Sequence, residues 1–167
     1  MKSTRDNFAL MRFLFSKISI ISIRGGIYME NFSSLTQEFE QSNFFKYLGF
    51  ECLSVEYGKA RIQIQKEPNI SNLKDMLHGG VIMTGLDIVM GLTSRSLGVK
   101  AASTMQMEVR FVNSVYEGTT GFIGELVHRS NNTAILNGKA IDDNGNLIAY
   151  STATFRLYDI EHHQFGK

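Results

Sequence analysis

Hydrophobic positions change their spacing several times along this chain, and each change marks an element. From Ser34 to Tyr47 the apolar residues Leu35, Phe39, Phe44 and Phe45 share a side, Ser34 and Gln37 have capping-box spacing, and Gly49 offers a stop. This predicts a helix. Residues Phe50–Tyr57 and Lys59–Lys66 then read as two short strands about Gly58, with Ala60, Ile62 and Ile64 on one face. Pro68 and the stretch Asn69–Asp75 read as loop.

From Gly79 the alternation stops and apolar residues pile up: Val81, Ile82, Met83, Leu86, Ile88, Val89, Met90, Leu92. A helix apolar on nearly every side is a buried helix. Its four glycines, Gly79, Gly80, Gly85 and Gly91, each cost up to about 1 kcal/mol against alanine, so close approach of neighbouring backbone should offset them. After Gly98, Met105, Met107, Val109 and Phe111 alternate with polar residues in an unbroken period of two. Three further strands are expected over Thr119–Arg129, Thr133–Ile141 and Leu147–Tyr158, the last two flanking an Asn144-Gly145 hairpin signal. The expectation is an α+β fold: one long central helix wrapped by an antiparallel β-sheet, the last four strands forming a meander. The sheet covers one side of the helix, and a second subunit or other elements must cover the rest.

Composition adds boundaries. A length of 167 residues with 43% hydrophobic and 20% charged positions suits one globular domain and excludes a disordered or collagen-like chain. The net charge of +1 conceals an asymmetry: residues 1–28 hold five basic residues and Asp6 alone as acid, leaving 12 basic against 15 acidic in the remainder. Met29 therefore reads as a second beginning, with residues 1–28 an extension or an amphipathic leader, 29–160 the domain and 161–167 a tail. The slightly acidic body gives no footprint for nucleic acid. Arg12 and Lys17 interrupt the apolar run Phe8–Ile23, so no membrane span is expected. The lone Cys52 fits a reducing, cytoplasmic setting, and His162 with His163 lacks a second ligand pair, so no metal is expected.

Candidate chemistry concentrates between Asn72 and Asp87. Gly79 and Gly80 stand at the start of the buried helix, where unpaired N–H groups and the helix dipole suit an anion or a developing oxyanion. Asp87 is the only charged residue between His78 and Arg95, and an ionised carboxylate buried in a helix needs a structural or a chemical reason. Asn72 and His78 flank the entrance. Each feature alone has a plainer reading: packing glycines, a histidine cap, an aspartate bonded to a strand. Their combination is more specific.

These residues resemble the hotdog-fold acyl-CoA thioesterases of the phenylacetate-degradation (PaaI-type) group. That pattern has Asn six residues before His-Gly-Gly and Asp nine after the His, as Asn72, His78, Gly79, Gly80 and Asp87 are placed here. The resemblance covers roughly Phe44 to Tyr158. It implies Asp87 as nucleophile or as base for a water, the Gly79 N–H as carbonyl polariser, and Asn72 and His78 as orienting groups. Thr104 stands where the group uses a Ser or Thr. Gly80, and Arg129 with Asn131 and Asn132, are candidate contacts to the CoA portion of the substrate. No cofactor is implied beyond CoA in the substrate. Asp75 departs from the glycine common three residues before the His; it demands a left-handed turn from a non-glycine residue and adds a carboxylate that would repel CoA phosphates.

Gly79 and Asp87 are eight residues apart, about 12 Å along a helix, whereas reacting atoms need roughly 3–3.5 Å. Both can act on one carbonyl only if they come from different subunits, so a homodimer or homotetramer is expected. The expected function is hydrolysis of acyl-CoA, with acyl-carrier-protein thioesters a lesser option. A hydroxyacyl-thioester dehydratase and a non-catalytic acyl-CoA-binding module are the alternatives. Met76, Met83, Met90, Met105 and Met107 are expected to be mostly core, with an acyl tunnel as the alternative role.

Overall fold

A computed structural model of the chain describes residues 18–23 and 26–159. The remaining leader residues and the tail, with His162 and His163, lie outside the described residues. Strands β1 (Ile18–Ile23) and β2 (Gly26–Asn31) pair as an antiparallel hairpin that forms a sheet of its own. The hairpin spans Met29, so the boundary expected between residues 28 and 29 falls inside β2.

The first helical period divides into α1 (Ser33–Gln41) and α2 (Asn43–Leu48) rather than one helix. Ser42 breaks it: its backbone is extended (φ −64°, ψ 137°) and its hydroxyl caps α2 by accepting from the Phe45 N–H at 3.3 Å. Serine competes with the helix in this way and favours caps over interiors. The expected capping box does not form, because Phe32 is the N-cap residue of α1 and offers no side-chain bond. Gly49 ends α2 in the left-handed conformation (φ 81°).

The rest is one six-stranded antiparallel sheet and one long helix. Strands β3 (Phe50–Glu56), β4 (Lys59–Gln65), β5 (Ala101–Phe111), β6 (Thr119–Arg129), β7 (Thr133–Ile141) and β8 (Leu147–Tyr158) lie in the order β3-β4-β6-β7-β8-β5. The expected four-strand meander is therefore only β6-β7-β8. Strand β5 pairs with β8 at the far edge, because β4 takes the free side of β6 through pairs such as Ala60 with Gly124. The period of β5 is also broken, by a bulge between Thr104 and Gln106.

Helix α3 (Gly79–Arg95) packs across one face of this sheet. Ala60, Ile62, Phe122, Leu136, Ala140 and Ala149 meet Leu86, Val89, Met90 and Leu92 with no solvent exposure. Each large apolar side chain so enclosed contributes about 1.5–3 kcal/mol. Close approach accounts for Gly85 and Gly80, in both cases by a side chain, but not for Gly79 or Gly91, where a Cβ would make only ordinary contacts with Phe111 and Phe155. A Cβ on Gly85 would stand 2.5 Å from the Phe122 ring, a side chain rather than backbone. Backbone approach occurs from the strand side, where a Cβ on Gly124 would stand 2.8 Å from the Val89 carbonyl oxygen.

Within the chain α3 is covered by the sheet and, towards its C-terminal end, by α1, where Arg95 pairs with Glu38. Gly80 and Met83 are exposed, and Thr84, Asp87 and Gly91 are half-buried, so a partly open stripe runs along α3 away from that contact. The methionines follow suit: Met90 is fully buried, but Met83 and Met105 are exposed, against the expectation that most would be core.

Candidate functional site

The entrance of α3 is built by hydrogen bonds that leave one amide over. His78 is the N-cap, and its own N–H donates to the Ile70 carbonyl at 2.9 Å. The Gly80 N–H donates to His78 Nδ1 at 2.9 Å, and the Val81 and Ile82 N–H groups donate to the His78 carbonyl at 2.9 and 3.2 Å. The Gly79 N–H is the first-turn donor without an acceptor among the described residues. Because Nδ1 accepts, the ring proton of neutral His78 sits on Nε2. Gly80 keeps this cap possible: a Cβ there would press on His78 Nδ1 at 3.0 Å.

The loop before the helix is held by Asn72. Its Oδ1 accepts from the Lys74 and Met76 N–H groups at 2.8 and 3.2 Å, an Asx turn that leaves the side-chain NH2 as its available donor. Asp75 takes the left-handed conformation (φ 57°), the only non-glycine residue with positive φ among those described. Lys66 Nζ meets Asp75 Oδ1 at 2.6 Å, and this hydrogen bond and the lysine charge hold the Asp75 carboxyl below its ordinary range. The expected repulsion of phosphates by Asp75 is thereby countered within the chain. Ser71, Asn72, Leu73, Lys74, Met76 and His78 line an open cleft of about 650 Å³, so Asn72 and His78 do share one cavity.

Asp87 lies two turns further along α3, on the open stripe. The expectation of a buried carboxylate is corrected: Asp87 is half-buried within one chain. Thr104 Oγ1 donates to Asp87 Oδ1 at 2.7 Å. Thr104 immediately precedes the β5 bulge, which re-aims the strand at this point. Oδ2 of Asp87 has no hydrogen-bond partner among the described residues.

The remaining candidates sit elsewhere. Arg129 Nη1 donates to the Leu97 carbonyl at 2.7 Å and to the Tyr57 hydroxyl at 3.4 Å, beyond the C-terminal end of α3. Asn131 and Asn132 are exposed between β6 and β7, and the Asn132 carbonyl accepts from the Leu157 N–H at 2.9 Å. Phe111 is a site neighbour that sequence reasoning treated as ordinary strand: its ring lies 3.6 Å from where a Cβ on Gly79 would stand. No local signal marks that contact, which joins residues far apart in the chain. Among the described residues no three His, Cys, Asp or Glu side chains are grouped to hold a metal, and no helix is long and apolar enough to cross a membrane.

Comparison with known proteins bears on the fold. Residues 75–149 match the Thioesterase superfamily. A Thermoplasma acidophilum protein that bears an esterase name is 28% identical over 125 residues, covering 74% of this chain and 95% of its own. The E. coli PaaI protein from the phenylacetic acid degradation operon superposes with a TM-score of 0.70 at 17% identity, over 76% of this chain and 96% of that one. The smu.793 protein of Streptococcus mutans, solved bound to acetyl CoA, superposes with a TM-score of 0.62 at 25% identity, over 65% and 88%. The antiparallel sheet with its long helix is the hotdog fold that these solved structures share, and residues 75–149 are similar to the Thioesterase superfamily.

Proposed function

We propose that this protein hydrolyses acyl-CoA thioesters at composite sites of a homodimer, Asp87 of one copy acting on a carbonyl held by the Gly79 amide of the other. The observation that carries the reading is Asp87 itself. It is the one charged residue within α3 before its last turn, it lies on the stripe the chain leaves open, and Thr104 fixes one of its oxygens at 2.7 Å. A carboxylate so held presents its second oxygen at low reorganisation cost.

Chemically, Oδ2 either attacks the thioester carbon, releasing the CoA thiolate and leaving a mixed anhydride for water to cleave, or takes a proton from the attacking water. The unpaired Gly79 N–H, at the positive end of α3, stabilises the oxyanion in both routes. Asn72 and His78 offer an amide NH2 and an Nε2–H in the cleft beside it. The helix spacing of about 12 Å separates Gly79 from Asp87 within one chain, which is why two copies are required. Exposed Met105 and Phe111 on the edge strand β5, together with the open stripe of α3, are surfaces that a second copy would cover. The bound acetyl CoA of the Streptococcus mutans relative supports a CoA thioester as ligand.

Thiol release from a panel of acyl-CoAs, measured for wild type and Asp87→Asn with size-exclusion alongside, tests the reading. Wild type should release thiol, and the variant should lose about 10²–10⁴ in rate while keeping its oligomeric state. Undiminished turnover by folded Asp87→Asn, or a fully active monomer, would overturn it. Binding of acyl-CoA by wild type without thiol release would point to a binding module instead.

A further inference from the structure

The residues before α3 close a small hairpin that carries both polar groups of the cleft. Ser71 bridges to Leu77, the Asn72 N–H donates to the Met76 carbonyl at 2.8 Å, and the Asp75 N–H donates to the Asn72 carbonyl at 3.0 Å. Leu73, Lys74 and Asp75 are thus a three-residue hairpin loop, a turn followed by a left-handed residue. Glycine is the ordinary occupant of that last position, because a Cβ is crowded there. Here Asp75 holds it, at φ 57°. Asn72 stands on one arm of the hairpin and His78 follows the other, so the turn sets how the two meet in the cleft.

Lys66 stands against Asp75. It follows β4 directly, and its N–H donates to the Gly118 carbonyl at 3.0 Å, which roots it in the sheet. Its side chain is 10% exposed, and its Nζ meets Asp75 Oδ1 at 2.6 Å. A pair exposed on both sides contributes little. This pair differs in one partner, because an ammonium so enclosed needs a counter-charge. We infer that Lys66 is a positioning residue of the candidate site: through Asp75 it holds the turn in the left-handed form that glycine would take unaided, and so fixes Asn72 relative to His78. The inference rests on the thioesterase reading for what the loop does, not for how the loop is held. Lys66 is not among the residues lining the cleft, so its effect reaches a substrate through the backbone of the turn. A lysine that bound substrate directly would matter equally with glycine in the turn; one that only offsets the strain of Asp75 would not.

The test compares four full-length proteins: wild type, Lys66→Met, Asp75→Gly and the double variant. Methionine keeps most of the enclosed stem and removes the charge. All four are measured at a temperature where melts show them folded. Hydrogen-exchange protection of the Lys74 and Met76 amides, both bonded to Asn72 Oδ1, reads the turn. The kcat and KM on the acyl-CoA that wild type hydrolyses fastest read the site. Lys66→Met alone should lower protection of these two amides about three- to tenfold, spare the amides of α3, and lower kcat about two- to tenfold with KM little changed. Made in the Asp75→Gly background, the same change should move neither protection nor kcat by more than about twofold. Equal effects in both backgrounds, or no effect in either, would overturn the positioning role. Lower protection with kcat unchanged would overturn it as well, since the pose of Asn72 would then not matter to turnover. No thioester hydrolysis by wild type would overturn the thioesterase reading alone, and the exchange measurement would still decide whether Lys66 holds the turn.

Discussion

Helix α3 carries both the Gly79 amide and Asp87, so its seat on the sheet can be tested through the glycine that sets it. In Gly85→Ala the new Cβ would stand 2.5 Å from Cε1 and Cζ of Phe122 and 2.9 Å from Cδ1. Carbon atoms at rest are about 3.5–4.0 Å apart, so ring or helix must yield by about 1 Å. The ring has little freedom. Phe122 is fully buried and meets Phe50 edge-on at 5.8 Å, and Phe50 in turn meets Phe45 at 5.6 Å. Overpacking of this kind costs about 1–3 kcal/mol, and a held ring places it at the upper end. Replacing glycine by alanine in a helix returns about 1 kcal/mol. The net expectation is destabilisation of about 2 kcal/mol, or about 4–8 °C in Tm for a domain of this size. Urea melts should show a lower midpoint at unchanged slope. In a Phe122→Leu background the same alanine should cost little, giving a coupling of about 1–2 kcal/mol between the positions. A Gly85→Ala protein as stable as wild type, or no coupling with Phe122→Leu, would refute the claim that this contact seats the helix.

Further expectations follow from the same geometry. Thr104→Val removes the 2.7 Å bond to Asp87 and should lower kcat about 10–100-fold with Tm nearly unchanged; equal activity would remove Thr104 from the site. Gly80→Ala crowds His78 Nδ1 and should cost about 1 kcal/mol of cap stability together with activity, whereas a ring that stays bonded to the amide by NMR would contradict the reading. Asp75 is held below its ordinary pKa by Lys66, so the pair stabilises the fold above the ordinary carboxylate range and loses that contribution as pH falls through the depressed value. Lys66→Ala should move the Asp75 titration upward in a carboxyl-detected NMR experiment; an unmoved titration would mean that the pair does not form in solution.

Local pattern made much of the fold legible. The bounds of β6, β7 and β8 agree with the period of two, and α3 begins where the His-Gly-Gly signal places it. What the pattern missed is non-local. Strand order depends on which edges meet after the chain has crossed the sheet, and no residue of β5 announces β8 as its partner. The Ser42 break turns on one serine choosing a cap over a helix interior. At the candidate site the residue types were readable, but their hydrogen-bond partners were not. Asn72 spends its oxygen on the loop, Asp75 is paired with Lys66, and Arg129 is engaged with the Leu97 carbonyl. The first of these had a local sign, since asparagine two residues before the amide it bonds is the ordinary Asx-turn arrangement.

The bond from the Gly80 amide to His78 Nδ1 also fixes the direction in which protons can travel at the mouth of α3. A ring lent to an amide on one side has only a filled N–H to offer on the other. It can steady an oxygen or a departing sulfur by a hydrogen bond, but it cannot lift a proton from carbon without first giving up the helix cap. Elimination of water from a hydroxyacyl thioester begins with such a lift, so the cap that starts the helix also disfavours a dehydratase.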